Sequence, residues 1–444
     1  MTSAVARRGV GVVAAAAASM LLLAACSAGS LGSSEEGGEG GGVTLSWLVD
    51  NVESTVTGAE ALSEAFTEAN PDITIEVETR PQGAEGDNLV KTRLSTGEMT
   101  DIFSYNTGSL FQALNPAQNI VPITGESYLD TIDETFITTV SVEDEVYGVP
   151  FGTAMGGGVM YNKQVYTDLG LTVPKTWAEF MANNEKIKAA GKAPVVQTYQ
   201  TTWTSQLFVL GDFHNVAAED PDWADKYTAG EVKYAQPPAL EGFQRLQEVH
   251  EAGYQNTDFA SAALDDGLQQ LATGQGVHYP ILSFAIENLK ANFPDAVQNI
   301  GFFAIPGDDA ATNGLTVWTA GGTYIPTSTE GEKLEAAKQF LAFIASPEGC
   351  DALTAAVSPS GPYHVQGCEL PADVPPVVTD IEAYFEQEGA TTPALEFLSP
   401  IKGPALEQIT VEVGSGIRSA EDGAALYDED VKKQAQQLGL EGWS

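Results

Sequence analysis

Hydrophobic positions follow three patterns in turn along this chain. The first is an uncharged run from Val10 to Ala25, set behind Arg7-Arg8. From Val43 onward, short β-branched segments alternate with stretches of helical spacing. Val43-Thr44-Leu45-Ser46-Trp47-Leu48-Val49 predicts a strand. Ala61, Leu62, Ala65 and Phe66 then recur at i, i+1, i+4 and i+5, which predicts a helix over 58–69 that Asn70-Pro71 stops. Ile73-Thr74-Ile75-Glu76-Val77-Glu78 alternates as a strand, a second helix is expected over 88–95, and Asp101-Ile102-Phe103-Ser104-Tyr105 makes a third strand. The order β-α-β-α-β implies a parallel sheet with crossover helices. Such sheets present their functional groups at the carboxyl ends of the strands. Here those ends carry Asp50-Asn51-Val52-Glu53 and Tyr105-Asn106.

The pattern changes at Tyr147-Gly148-Val149-Pro150-Phe151, where a run of small residues, 152–158, leads into Val159-Met160-Tyr161-Asn162-Lys163. Pro174-Lys175-Thr176-Trp177 opens a helix expected to reach Ala190. Gly321-Gly322-Thr323-Tyr324-Ile325-Pro326 precedes another, over 333–345, whose Ala337, Phe340, Leu341 and Ile344 share a face and which Ser346-Pro347-Glu348-Gly349 ends. Trp47, Met160, Tyr161 and Tyr279 are expected in the core.

The amino-terminal pattern says where the protein works. A charged start, an apolar run and small residues before a cleavage point make a secretory signal over 1–25. The run is shorter than the roughly 20 residues a bilayer span needs. Leu23-Ala24-Ala25-Cys26 resembles the bacterial lipobox, which implies acylation of Cys26 and anchoring by lipid alone at the outer face of the membrane. Between Ser27 and Gly42, seven Gly and four Ser occupy 11 of 16 positions. That composition predicts a flexible tether over 26–42, reaching about 20–24 Å as a coil.

Charge and cysteine usage narrow the partners. The whole chain carries 61 acids against 20 Lys and Arg, a net charge of −41. Removal of the signal leaves 18 basic residues and a net charge of −43. Nucleic acid is therefore excluded as a partner, and so is an anionic membrane surface. Outside the cytoplasm the two remaining thiols, Cys350 and Cys368, are expected to pair. His214, His250, His278 and His364 are scattered, with no spacing suited to a metal. No metal, cofactor or catalytic residue is expected.

Several segments, in order, resemble the extracellular solute-binding proteins of sugar-importing ABC transporters, the maltose-binding-protein type. They are the first strand and helix with Asn70-Pro71-Asp72-Ile73; Gly97-Glu98-Met99-Thr100-Asp101-Ile102-Phe103; Tyr147-Gly148-Val149-Pro150 with Tyr161-Asn162-Lys163; Pro174-Lys175-Thr176-Trp177; Thr273-Gly274-Gln275-Gly276; and Ala336-Ala337-Lys338-Gln339-Phe340-Leu341 with Ser346-Pro347-Glu348-Gly349. The resemblance implies an α/β chain with a type II periplasmic-binding fold, two α/β lobes around a ligand cleft. One lobe is expected over 43–152 plus 321–348, the other over 153–320 plus 349–444. The glycines at 152–158 and 321–322 are expected to serve as hinge positions. A monomer that hands a sugar to permease subunits is implied.

Sugars combine apolar C–H faces with a ring of hydroxyls, so aromatic rings, carboxylates and amides suit them. The resemblance implies Asp50, Asn51 and Glu53 as hydroxyl partners, Tyr105 as a stacking ring with Asn106 beside it, and Phe284 as a second stacking ring. Trp203, Trp318 and Tyr363 are further candidates. Where the maltose-binding type has a carboxy-terminal stacking aromatic, this chain has Lys402-Gly403-Pro404. Competing readings are a binder of polyamine, peptide or metal, and a secreted carbohydrate-active enzyme. The chain carries no Gly-x-Ser-x-Gly, His-Glu-x-x-His or P-loop motif. It also lacks the repeats expected of an adhesion scaffold.

Overall fold

Leu45, Trp47, Leu48 and Val49 are all inaccessible to solvent. The strand that holds them, Val43–Asp50, is an inner strand of a five-stranded sheet. Covered on both faces, it needs apolar residues at consecutive positions rather than alternate ones. In this computed structural model residues 42–443 are described, except 82. The expected signal, Cys26 and the tether up to 41 lie outside the described residues.

The first sheet runs in the order Ile73–Arg80, Val43–Asp50, Ile102–Tyr105, Gly321–Tyr324, Gly148–Phe151. Its first three strands are parallel, joined by helices Glu53–Ala69 and Gly83–Thr96. The last two are antiparallel to their neighbours. Helix Glu53–Ala69 starts one turn before its apolar spacing does, because its first turn carries Ser54 and Thr55 rather than core residues.

A second sheet is ordered Thr391–Pro393, Leu315–Trp318, Met155–Asn162, Gly276–Leu282, Ala193–Val195, with Ile300–Ala304 also paired to Met155–Asn162. Helix Trp177–Ala189 packs beside it. This helix opens on a reciprocal cap: Glu179 N donates to Thr176 Oγ1 and Thr176 N to Glu179 Oε2, both at 3.3 Å. Trp47 is core, as are Met160, Tyr161 and Tyr279.

Two differences from expectation concern the junction between the sheets. Residues 349–368 do not pack with the second lobe alone: their helix and Val365 join the first core, while Ser358 and Ser360 bond to Lys290 and Ser283 of the second lobe. Helix Pro347–Ala356 lies on helix Glu53–Ala69, Cys350 and Val365 belong to the first core, and the second core takes over from Val377 and Ile381. The boundary expected at 348 thus falls inside a helix. The glycines also differ from a hinge pattern. Of those in the runs 152–158 and 321–322, Gly152 alone has a positive φ, +111°. The others are strand residues, and Gly156, Gly157, Gly158 and Gly322 leave room for rings: a Cβ on Gly157 would lie 2.1 Å from the Trp318 ring, and one on Gly322 would lie 2.2 Å from the Tyr324 hydroxyl.

Cys350 and Cys368 are joined by a disulfide, Cα to Cα 5.9 Å, across a sequence separation of 18. The bridge secures the segment that passes from the first core to the second. Replacing both cysteines by serine should lower unfolding stability by about 3 kcal/mol in the chain-entropy account. Urea titration of wild type and Cys350→Ser/Cys368→Ser measures this, and equal midpoints would show that the bridge constrains nothing.

Candidate functional site

Carboxyl ends of the first sheet and the edge of the second converge on a cavity of about 620 Å³. Its first wall is built from neighbouring strand ends. Asp50 and Arg80 are register partners on adjacent parallel strands, and Tyr105 and Asn106 end the next strand over. The Asp50 Oδ1 accepts from Val52 N at 2.9 Å, which turns the carboxylate toward the start of the first helix. Arg80 is 6% exposed, and its guanidinium sits 5.3 Å from the centre of the Tyr105 ring. Nη1 of Arg80 donates to Pro81 O at 3.1 Å, while its Nε and the Tyr105 hydroxyl find no partner among the described residues. Burial, reinforced by the Asp87 carboxylate beside it, pushes the Tyr105 phenol well above its ordinary range.

The opposing wall belongs to the second sheet and its helices. Trp203 and Phe284 are half-buried with ring centres 5.6 Å apart and planes tilted by 32°. Together they present a broad apolar surface to the cavity. Glu287 and Asn288 follow Phe284 on helix Ala285–Asn292. Burial pushes the Glu287 carboxyl up to about 7, although Lys290 and the Ser358 amide pull it back. Its Oε1 has no partner among the described residues.

The floor is the junction between lobes. Gly152 and Thr153 line it from the first crossing, Ala320 from the second, and Ser358, Ser360 and Tyr363 from the disulfide-secured segment. Thr153 pairs with Tyr363 as an isolated antiparallel bridge, and Tyr363 Oη is hydrogen-bonded to Thr354 Oγ1.

Asp50, Tyr105, Asn106, Trp203, Phe284 and Tyr363 all line the cavity. Asn51, Glu53 and Trp318 do not. Asn51 is exposed, and its backbone N–H donates to Arg80 O at 2.9 Å. Glu53 is exposed in the first helical turn, where the helix dipole favours an acid. Trp318 is 7% exposed, donates Nε1 to Glu396 and faces a separate small cavity with Phe213, Tyr234 and Lys402. Tyr105 lines the cavity from beneath Arg80, and one of its faces is occupied by the guanidinium. Arg80, Glu287, Asn288, Ser358 and Ser360 were not foreseen from the sequence. The alternation marks that strand only as far as Glu78, and the two further residues that bring it to Arg80 place the guanidinium at a carboxyl end like those of Asp50 and Tyr105. Among the described residues no cluster of His, Cys, Asp or Glu could hold a metal ion, and no helix is long and apolar enough to cross a membrane.

Comparison with known proteins agrees with this architecture. A multiple sugar-binding protein from Streptococcus mutans is 27% identical over 315 residues, 68% of this chain and 71% of that one. An uncharacterized ABC transporter extracellular-binding protein from Pyrococcus horikoshii is 31% identical over a shorter stretch of 121 residues, 27% of this chain and 28% of that one. A chitin oligosaccharide binding protein superposes with a TM-score of 0.74 at 22% identity, covering 89% of this chain and 100% of that one. A solute-binding protein solved in complex with raffinose gives a TM-score of 0.71 at 20% identity, over 89% of this chain and 99% of that one. These matches establish the two-lobed fold of extracytoplasmic solute-binding proteins. The sequence profile of the bacterial extracellular solute-binding proteins matches residues 51–349, and the chain belongs to that family.

Proposed function

We propose that this protein is the substrate-binding component of an ABC importer, and that it captures a di- or oligosaccharide in the cavity between its lobes for delivery to permease subunits. The observation that carries this reading is the composition of the two walls. Trp203 and Phe284 offer flat apolar area on one side, and Asp50, Arg80 and Asn106 offer donors and acceptors on the other. At about 620 Å³ the cavity lies within the range of about 300–1,000 Å³ common for small-molecule sites. The relatives with sugar-binding names support the same class. Acylation of Cys26 would hold the receptor at the outer face of the membrane, and the Gly/Ser-rich segment behind it would let the lobes reach a permease.

A ligand that touches both walls favours the closed arrangement by its differential affinity for it. A thermal-shift panel of sugars, amino acids, polyamines and metal ions tests the ligand class. A sugar at 100 times its dissociation constant should add about 2.7 kcal/mol of stability. A shift from a polyamine or a metal, with silence from every sugar, would overturn the sugar reading. Trp203→Ala, which removes half of the aromatic pair, should weaken sugar binding about tenfold, since one buried aromatic face contributes on the order of 1.5–3 kcal/mol. Calorimetric titration decides this.

Glu287 gives the empty receptor a pH signature. Its folded-state value of about 7 lies above the ordinary 4.5, so the folded protein holds this proton more tightly than the unfolded chain. The contribution is complete below about 4.5 and is lost as pH rises through about 7. Melting temperatures at pH 5 and pH 8 should therefore lie closer together in Glu287→Gln than in wild type. An undiminished gap would mean that Glu287 is not the group responsible.

A further inference from the structure

The fold buries two arginines and treats them in opposite ways. Arg245, 4% exposed, is held in the second lobe by two carboxylates, Asp212 and Glu241, the latter at 2.8 Å from Nη2. That is how a guanidinium is buried for structure: an isolated buried charge is costly, and paired carboxylates offset the cost. Arg80 is 6% exposed and has no carboxylate partner among the described residues. Its neighbours are the Pro81 carbonyl and the Tyr105 ring. Asp50, its register partner, is turned to the Val52 amide. Asp87, the acid beside Tyr105, makes no ion pair with Arg80 among the described residues.

Arg80 is also the only Lys or Arg among the described residues that line the cavity. In a chain with 61 acids and 20 basic residues, carboxylates to pair with a buried cation are plentiful. This position nevertheless leaves a guanidinium unpaired, above a phenol whose hydroxyl is unpaired too. Glu287, the acid on the far wall, likewise keeps one oxygen without a partner.

We infer that Arg80 is a specificity-determining residue that receives a carboxylate of the ligand, and that the cavity takes an acidic oligosaccharide, one containing a uronic acid. The inference rests on the sugar reading above and narrows it. Arg80 supplies a planar donor fork that a carboxylate matches in bidentate fashion. The Tyr105 hydroxyl supplies a further donor on the same wall. The neutral rings of the ligand then lie toward Trp203 and Phe284. A hydroxyl could accept a hydrogen bond from Arg80 but would leave its charge without a counterion. The ligand carboxylate does for Arg80 what Asp212 and Glu241 do for Arg245.

The test is calorimetry with matched disaccharide pairs that differ only in carboxylate against hydroxymethyl at C6. The probes are digalacturonate with galactobiose, and the corresponding glucuronate and mannuronate pairs with their neutral counterparts. The acidic member of at least one pair should bind more tightly by about tenfold or more, with affinity that falls as salt is raised. Arg80→Gln should abolish that preference by weakening the acid alone, and Arg80→Lys should keep part of it. Equal or tighter binding of every neutral member would overturn the inference while leaving a sugar receptor in place. Failure of all sugars, acidic and neutral, would overturn the sugar reading beneath it as well. Should Arg80→Gln not fold, the wild-type ratio and its salt dependence still decide the matter.

Discussion

Three crossings of the chain meet at the floor of the cleft, and hydrogen bonds to one short segment, 360–364, hold them together. Ser360 N donates to Thr153 Oγ1 at 3.1 Å, and Ser360 O accepts from Ser283 Oγ at 2.8 Å. The same Ser283 oxygen accepts from Gly156 N at 3.0 Å. His364 ties in the second crossing: its Nε2 accepts from Ala320 N at 3.1 Å, and its Nδ1 faces Asp133 Oδ2 at 2.7 Å. A backbone N–H can only donate, so Nε2 must be bare and the ring proton sits on Nδ1, directed at the carboxylate. These contacts are buried or partly buried, and directional. They fix where the two sheets stand relative to the cavity, and every wall residue inherits its position from them. The disulfide at Cys350 and Cys368 secures the same segment covalently.

Against that ordered floor, the walls hold groups that the protein alone does not satisfy. Arg80 Nε, Tyr105 Oη and Glu287 Oε1 lack partners among the described residues. Leaving a buried polar group unpaired costs about 1–3 kcal/mol. Within the cores, Trp47 Nε1 donates to Ser104 Oγ at 3.0 Å and the fully buried His278 is held between Tyr166 Oη at 2.7 Å and Asn184 Oδ1 at 2.8 Å, while Trp223 Nε1 and Tyr227 Oη share the unpartnered state of the wall groups. Burial then keeps the His278 imidazole neutral, its value lowered to about 3. What sets Arg80, Tyr105 and Glu287 apart is their place: all three line the one cavity, whereas Trp223 and Tyr227 do not.

Most of the first sheet was legible because its strands and helices alternate with clear periodicity. Val43–Asp50, Ile73–Arg80 and Ile102–Tyr105 lie where apolar runs and turn residues placed them, and their ends supply half of the cleft. What was not legible depends on packing between distant segments. No local signal distinguishes a glycine that bends the chain from Gly157, which exists to admit the Trp318 ring from a strand about 160 residues away. Helix Pro347–Ala356 is amphipathic whichever core it joins, and its docking on helix Glu53–Ala69 is a tertiary choice. Glu287 belongs to an ordinary helical stretch after Phe284. The Ser358 amide, about 70 residues away in sequence, reaches it only in the folded chain.

Trp318 shows how an ion pair can hold an aromatic ring away from a cavity. Lys402 Nζ pairs with Glu396 Oε2, and Glu396 Oε1 accepts from Trp318 Nε1. The chain Lys402–Glu396–Trp318 consumes the indole N–H and holds the ring over Gly157, away from the cleft. An indole fixed in that way does not line the cleft, and Trp203 and Phe284 are the aromatic pair on the second wall. The site is thereby asymmetric: apolar area is concentrated on the second lobe, while the first presents Asp50, Arg80 and Asn106 at its strand ends. A ligand that satisfies both walls must itself be two-sided, with an apolar ring face toward one lobe and polar groups toward the other.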